Sequence, residues 1–268
     1  MRPAASNRSR WARGAGLALL AGVALFALAT PPLAGIDPAR QSLSHSLLPP
    51  GAAHWLGTDV LGRSVLARLA EATRLSLGLG LLASLTAAVP GTLLGLLAAW
   101  RGGVVERALV LLADAVLSVP GLLLVLLMAL IVPGQALGIY LGLALAQWVE
   151  YFRVARAASR PVLAGEAVQA SRLLGFGPTY LLRRHLLPAL APVLGTLLAL
   201  GTAQAVLAVA ALGFISVGLQ PPTPELGLML VEFLPHYEEA PWLIAAPVFV
   251  LMSTVLGMLC LAQEEQAP

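Results

Sequence analysis

The residues of this 268-residue chain that could do chemistry are few, and their spacing excludes most of it. Four histidines, His45, His54, His185 and His236, are scattered along the sequence. No H-E-x-x-H places two of them on one helix face to hold zinc, and no G-x-S-x-G presents a serine nucleophile. The single cysteine, Cys260, excludes an intrachain disulfide and a cysteine-rich metal site. The 16 basic residues are all arginine. A phosphate-cradling P-loop needs the lysine of G-x-x-x-x-G-K-[ST], so this chain cannot carry one. What remains is one stretch, "EAVQASRLLGFGPTYLLRRHLLPAL", from Glu166 to Leu190. It brings Arg172, Arg183, Arg184 and His185 together between two stretches too apolar for water. Its chemistry is docking. Pattern alone leaves two readings open: an amphipathic helix held by anionic lipid, and an element that docks a protein.

The surrounding elements must hold that stretch at a membrane surface. The chain is 59% hydrophobic and 11% charged, against about 25% charged in a soluble domain. Mean hydropathy is +0.87 and the pI about 9.6. This predicts an all-α polytopic membrane protein whose basic residues lie in cytoplasmic loops; a nucleic-acid-binding face with aromatics is missing from the sequence. A crossing needs ~20 mostly apolar residues. Six segments are expected to cross: Ala15–Leu33, Leu75–Trp100, Ala108–Val132, Gly134–Phe152, Ala189–Leu219 and Trp242–Ala262. The N-terminal run has the look of a signal peptide, but in a chain that crosses repeatedly an uncleaved first span is the better reading.

Arginine placement sets the orientation. Arg2, Arg8, Arg10 and Arg13 precede the first span, Arg101 and Arg107 follow the second, and Arg153, Arg156, Arg160, Arg172, Arg183 and Arg184 follow the fourth. Six crossings put all three groups on the cytoplasmic side, with both termini. The other side keeps Arg40, Arg63, Arg68 and Arg74 among acidic residues, and the acidic loop 220–241. The docking stretch is then the largest cytoplasmic loop. Within it, Pro161 is expected to open a short helix, with Leu163, Ala167, Ala170 and Leu174 on one stripe. Gly175 is expected in the left-handed position that ends it. Gly177-Pro178 should start a second short helix through Leu187, and Pro188 should mark entry to the fifth span.

The spacing of "QASRLLGFGPTYLLRRHLLP" resembles the cytoplasmic signature of ABC importer permeases: Glu-Ala-Ala, three residues, Gly, nine residues, Ile, one residue, Leu-Pro. Gln169, Ala170 and Ser171 stand at the first three places, Gly175 at the glycine, His185 at the isoleucine, and Leu187-Pro188 at the end. Gln169 and Ser171 depart from the pattern. Histidine at the isoleucine place resembles one branch, the dipeptide/oligopeptide/nickel permeases. Three further segments resemble that branch in the same order: "HWLGTDVLGRSVLARLAEATRLSLGLG" (54–80), "GFISVGLQPPTPELGLML" (213–230) and "YEEAPWLIAAP" (237–247). Together they point to its "C"-type member. Where family members carry a Gly-Asp … Leu-Arg-Asp tail, this sequence reads "CLAQEEQAP".

The resemblance implies six transmembrane helices with a cytoplasmic coupling-helix hairpin between spans 4 and 5. It divides the chain into a cytoplasmic segment with the first span (1–34), an external segment (35–73), a core permease domain (74–262) containing the coupling loop (153–188), and a short cytoplasmic tail (263–268). Glu166, Gln169, Ala170, Ser171, Arg172, Gly175, His185 and Pro188 are the expected coupling residues. The implied partners are a homologous permease subunit, one or two ABC ATPase subunits that use ATP and Mg, and an extracytoplasmic substrate-binding protein. The chain itself is expected to bind no cofactor. The implied setting is the cytoplasmic membrane of a bacterium or archaeon. The implied cargo is a peptide, with nickel or another small solute as the alternative. An intramembrane enzyme lacks its motif here, and a secondary transporter lacks its chain of ionisable groups at membrane depth.

Five polar residues are candidates for the translocation path: Asp114, Ser118, Gln147, Gln204 and Ser216. For each singly, helix–helix hydrogen bonding is the simpler account. Asp114 is the exception, because a carboxylate at the bilayer centre costs ~2.5–3.5 kcal/mol on insertion scales. In the external segment, His54, Asp59 and Arg63 suit either a local salt-bridged cap or a docking surface for a partner.

Overall fold

The computed structural model describes residues 4–34, 37–132 and 136–262. The expected tail and Gly134 lie outside the described residues. The elements are α1 (Ala4–Ala34), α2 (Val65–Arg101), α3 (Gly103–Leu117), α4 (Gly121–Ile131), α5 (Ala136–Ala164), α6 (Glu166–Leu173), α7 (Pro178–Leu181), a π-helical turn (Leu182–Leu186), α8 (Leu187–Phe214), α9 (Leu226–Phe233) and α10 (Trp242–Ala262). Among the described residues there is no strand, only an isolated bridge between Thr58 and Ser64.

Four helices are long and apolar enough to cross a membrane: Trp11–Thr30 within α1, α2, the continuous rod Pro178–Phe214, and α10. A fifth is added if α3 and α4, bent by 75° at their junction, form one span. Length and apolarity therefore support four or five crossings. α5 is 29 residues long but falls outside that set, since Gln147, Glu150, Arg153, Arg156 and Arg160 dilute its apolar run.

Proline and glycine placement explains where helices depart from expectation. The expected third span, Ala108–Val132, is two helices. Pro120 has no N–H and disfavours helical backbone at Val119, so the chain turns at Ser118-Val119-Pro120. α5 runs past Phe152 to Ala164, and Pro161 lies inside it rather than opening the next helix. Pro161 removes one hydrogen bond near the helix end, and the helix continues until Gly165 becomes extended (φ −68°, ψ 150°). The second short helix does not stop at Pro188. Pro188 offers no N–H to the Arg184 carbonyl, and the π-helical turn just before it absorbs that mismatch. α8 then ends at Phe214, short of the expected Leu219.

Small residues set the packing. On α2, Gly91 and Gly95 face α5. A Cβ at Gly91 would meet Trp148 O, and one at Gly95 would lie 2.5 Å from Phe152 O. On α5, Gly138 and Gly142 face α4 in the same way, at 2.7 Å from Met128 O and 2.6 Å from Val125 Cα. These two glycines, which weaken the α5 signal in sequence, are what let α5 nest against α4. α1 and α10 cross where Gly16 meets Cys260 and Gly257 meets Leu20. A polar knot pins α2, α5 and α8: Ser84 Oγ donates to Gln147 Oε1 at 2.6 Å, and Gln147 Nε2 donates to the Gly201 carbonyl at 3.3 Å.

The segment before α2 folds into a compact cap. Asp59 Oδ2 accepts from Arg63 Nε and Arg68 Nη1, both at 2.6 Å. Arg63 and Arg68 also reach Glu232 Oε2, at 3.2 and 2.6 Å. Asp59 and Arg68 are each 1% exposed. Gly57 and Gly62 take φ +75° and +69°, and a Cβ at either would strike the Leu48 or Ser42 carbonyl. The Gly-Thr-Asp … Gly-Arg pattern is therefore built into a four-membered ion network that ties the cap to α9. His54 stands outside it and contacts the His45 ring at 5.8 Å between centroids.

Candidate functional site

α6, α7 and the turn between them connect the end of α5 to the π-helical turn and α8. Glu166 lies in the first turn of α6, where its charge complements the helix dipole, and Arg172 lies in the last. α6 ends in a Schellman motif: the Phe176 N–H donates to the Ser171 carbonyl at 3.1 Å and the Gly175 N–H to the Arg172 carbonyl at 3.0 Å. Gly175 sits at φ +80°, the left-handed geometry its position predicts, with nothing within 4 Å of where a Cβ would stand.

This connection is seated by few side chains. In α6 the buried residue is Val168, which lies off the stripe of Leu163, Ala167, Ala170 and Leu174. That stripe is divided: Leu163 is buried, while Ala167, Ala170 and Leu174 face outward. Where α5, the π-helical turn and α8 meet the end of α2, Leu96, Leu163, Leu186 and Leu190 form a small core that Trp100, Val162 and Leu182 extend. Gln169 Nε2 donates to the Leu163 carbonyl at 3.3 Å. Ser171 Oγ donates to the Ala167 carbonyl at 2.8 Å, so its 3.1 Å contact with His185 Nε2 needs the imidazole as donor. Ser171 and His185, two residues unlike the Ala and Ile of the signature, thus bond to each other. Arg172 lies over the Trp100 ring at 5.4 Å, on α2. The outward side mixes charged residues with exposed apolar ones: Leu173 is 89% exposed, Leu174 76%, and Phe176 stacks on Tyr180 at 4.2 Å.

Residues 91–263 match the family described as "Binding-protein-dependent transport system inner membrane component". The chain belongs to this family. It is 36% identical over 254 residues to the dipeptide transport system permease protein DppC of Haemophilus influenzae, covering 91% of this chain and 86% of that protein. It is 36% identical over 250 residues to the di/tripeptide transport system permease protein DppC of Pseudomonas aeruginosa, covering 91% and 82%. Against the nickel transport system permease protein NikC of Escherichia coli K12 it is 33% identical over 249 residues, covering 93% and 90%. Among solved structures, the MetNI methionine ABC transporter in inward-facing conformations matches with TM-score 0.56 at 18% identity, covering 71% of this chain and 91% of that chain; at this identity the likeness is one of fold. The chain is thus an ABC importer permease subunit, a non-catalytic membrane component whose ATPase is a separate subunit.

In this permease the candidate path residues divide. Gln147 is buried in the knot between α2, α5 and α8. Asp114 and Ser118 are exposed on α3 near its break, and Gln204 and Ser216 are exposed on and just beyond α8. Asp114 pairs with Arg153 at 2.6 Å, both about half exposed. Glu106 continues that ladder between α3 and α5 by pairing with Arg156 and Arg160. Ser216 adopts φ +57°, left-handed backbone that is uncommon for a residue other than glycine. The sequence reading assigned no role to Arg68, Glu232, Trp100 and Glu106; the contacts Arg68–Glu232, Trp100–Arg172 and Glu106–Arg156 span long sequence separations, while Arg68 also pairs with the nearby Asp59.

Outside the spans, Glu225 caps α9 by accepting from the Leu228 N–H at 2.9 Å, yet its Oε1 is buried without a partner. Burial raises its carboxyl above the usual range, and the backbone N–H groups of Gly227, Leu228 and Leu226 oppose that.

Proposed function

We propose that this permease imports peptides as one half of a permease pair, driven through the α6–α7 hairpin by a cytoplasmic ATPase. The observation that carries the reading is the pair Leu173 and Leu174, exposed at the end of α6 beside its glycine-terminated cap. Two adjacent leucines this exposed, on a segment with Arg183 and Arg184, suit a protein groove better than water. Glu166, Gln169, Ala170 and Ser171 form the helix offered to that groove; Gly175 sets its angle; His185 and Pro188 carry its motion into α8. ATP and Mg act on the partner ATPase. The fully assembled importer has a homologous permease, one or two ATPases and an extracytoplasmic binding protein.

On this reading the chain crosses six times, with α5 as the fourth span and α3–α4 together as the third. The arginine distribution supports both termini in the cytoplasm of a bacterial or archaeal cell. Asp114, Ser118, Gln204 and Ser216 line the path, with Gln147 bracing α2, α5 and α8.

The DppC relatives favour peptide cargo, and NikC keeps nickel as the second reading. Vesicles holding the permease with its cognate partners decide between them. Labelled dipeptide should accumulate on ATP addition, whereas nickel uptake without dipeptide uptake reverses the assignment. The double change Leu173→Asp with Leu174→Asp should abolish co-purification of the ATPase; retention of the ATPase would refute the docking role.

A further inference from the structure

The hairpin must do more than bind, because a grip that is not tied to the spans transmits nothing. We infer that Trp100 and Arg172 form a strut that couples the hairpin to α2; this rests on the docking role proposed above. α6 has one buried residue, Val168, so packing alone leaves its outer end loosely held. Arg172, in its last turn, reaches the end of α2 and lies 5.4 Å over the indole of Trp100, within the range of a cation–π contact. Trp100 is in turn packed on the core of Leu96, Leu163, Leu186 and Leu190, which joins α2, the end of α5, the π-helical turn and the start of α8.

The consequence is mechanical. α2 is 37 residues long, packs on α5 through Gly91 and Gly95, and meets α8 at Gly80. It also begins in the external cap through Arg68. A displacement of α6 is therefore passed through Arg172 and Trp100 to a helix that ends at the opposite cap. His185, bonded to Ser171, provides the parallel link into α8. Arg172 and Trp100 are positioning residues; neither need touch cargo or nucleotide.

The test uses the assembled importer in vesicles and reads two quantities: ATPase retained on purification, and solute moved per ATP hydrolysed. Trp100→Leu keeps apolar bulk without a ring, and Arg172→Met keeps a flexible stem without the charge. Each should keep the ATPase bound yet lower transport per ATP several-fold. Trp100→Phe and Arg172→Lys should restore much of it. The double variant Trp100→Leu with Arg172→Met should be no worse than either single one. Losses that multiply in the double variant, or Trp100→Leu that loses activity while Arg172→Met does not, would make Trp100 a membrane-interface anchor and overturn the strut. Wild-type transport per ATP in all variants would overturn it too. If Leu173→Asp with Leu174→Asp leaves the ATPase bound, the docking role fails and removes the strut with it.

Discussion

At the scale of single residues, Gly175 shows how conformation can be isolated from contact. Nothing lies within 4 Å of its missing Cβ, so a Cβ there would clash with nothing in this chain. The φ of +80° is the whole constraint. Left-handed backbone costs an ordinary L-residue roughly 1–2 kcal/mol, more for a β-branched one and less for asparagine. Gly175→Val should leave the permease at normal levels in the membrane while weakening ATPase co-purification and uptake; Gly175→Asn should keep most of both. Gly177→Ala, at φ −75°, should be close to neutral.

Glu225 gives a residue-scale prediction with a sign. Its carboxyl is raised chiefly by burial, so the folded state holds the proton more tightly than the unfolded chain. Stability is then fully present below the unfolded carboxyl range and is lost as pH rises through the folded value. Glu225→Gln keeps an acceptor for the Leu228 N–H without the buried charge. Its Tm in detergent should exceed that of the wild type at pH 8, and the gap should close toward pH 4. A gap independent of pH would contradict this account.

At the scale of elements, the cap before α2 is held by its ion network. Removing one partner of a buried pair leaves an uncompensated charge and typically costs ~3–5 kcal/mol. Asp59→Asn leaves Arg63 and Arg68 with Glu232 alone, so the protein should unfold at markedly lower temperature and accumulate poorly. Much of this element was legible in part only. Asp59 and Arg63 are four residues apart, and their pairing could be expected from the sequence. Arg68 and Glu232 are 164 residues apart, and no local pattern announces that contact. The same limit applies to α3 and α4. Their composition reads as one apolar run, and the break depends on how strongly Pro120 overrides helix continuity. Pro161 sits in an equally suggestive place and breaks nothing, because its helix ends a few residues later. Ser171 and His185 each stood out as departures from a signature, but only folding brings them into one hydrogen bond.

At the scale of the whole molecule, α2, α10 and the rod through α8 could be placed from apolar length, because lipid permits few other backbones. α5 could not be secured that way. Its helix faces α2, α4 and α8 with glycines and buried polar groups, so its interior face blurs the hydropathy signal. Topology is therefore best measured. Cysteines introduced at Ala53 and at Thr179, in a Cys260→Ser background, should be labelled from opposite sides of the membrane; labelling from one side would mean a different number of crossings.

The central claim is that the α6–α7 hairpin is the ATPase's grip. The most direct measurement places a cross-linker at its tip, as Leu174→Cys in a Cys260→Ser chain assembled with its partners in native membranes. The account predicts a cross-linked product containing the ATPase subunit, lost in the Gly175→Val background. A tip that cross-links only within the permease or to lipid, while the importer still transports, would contradict it.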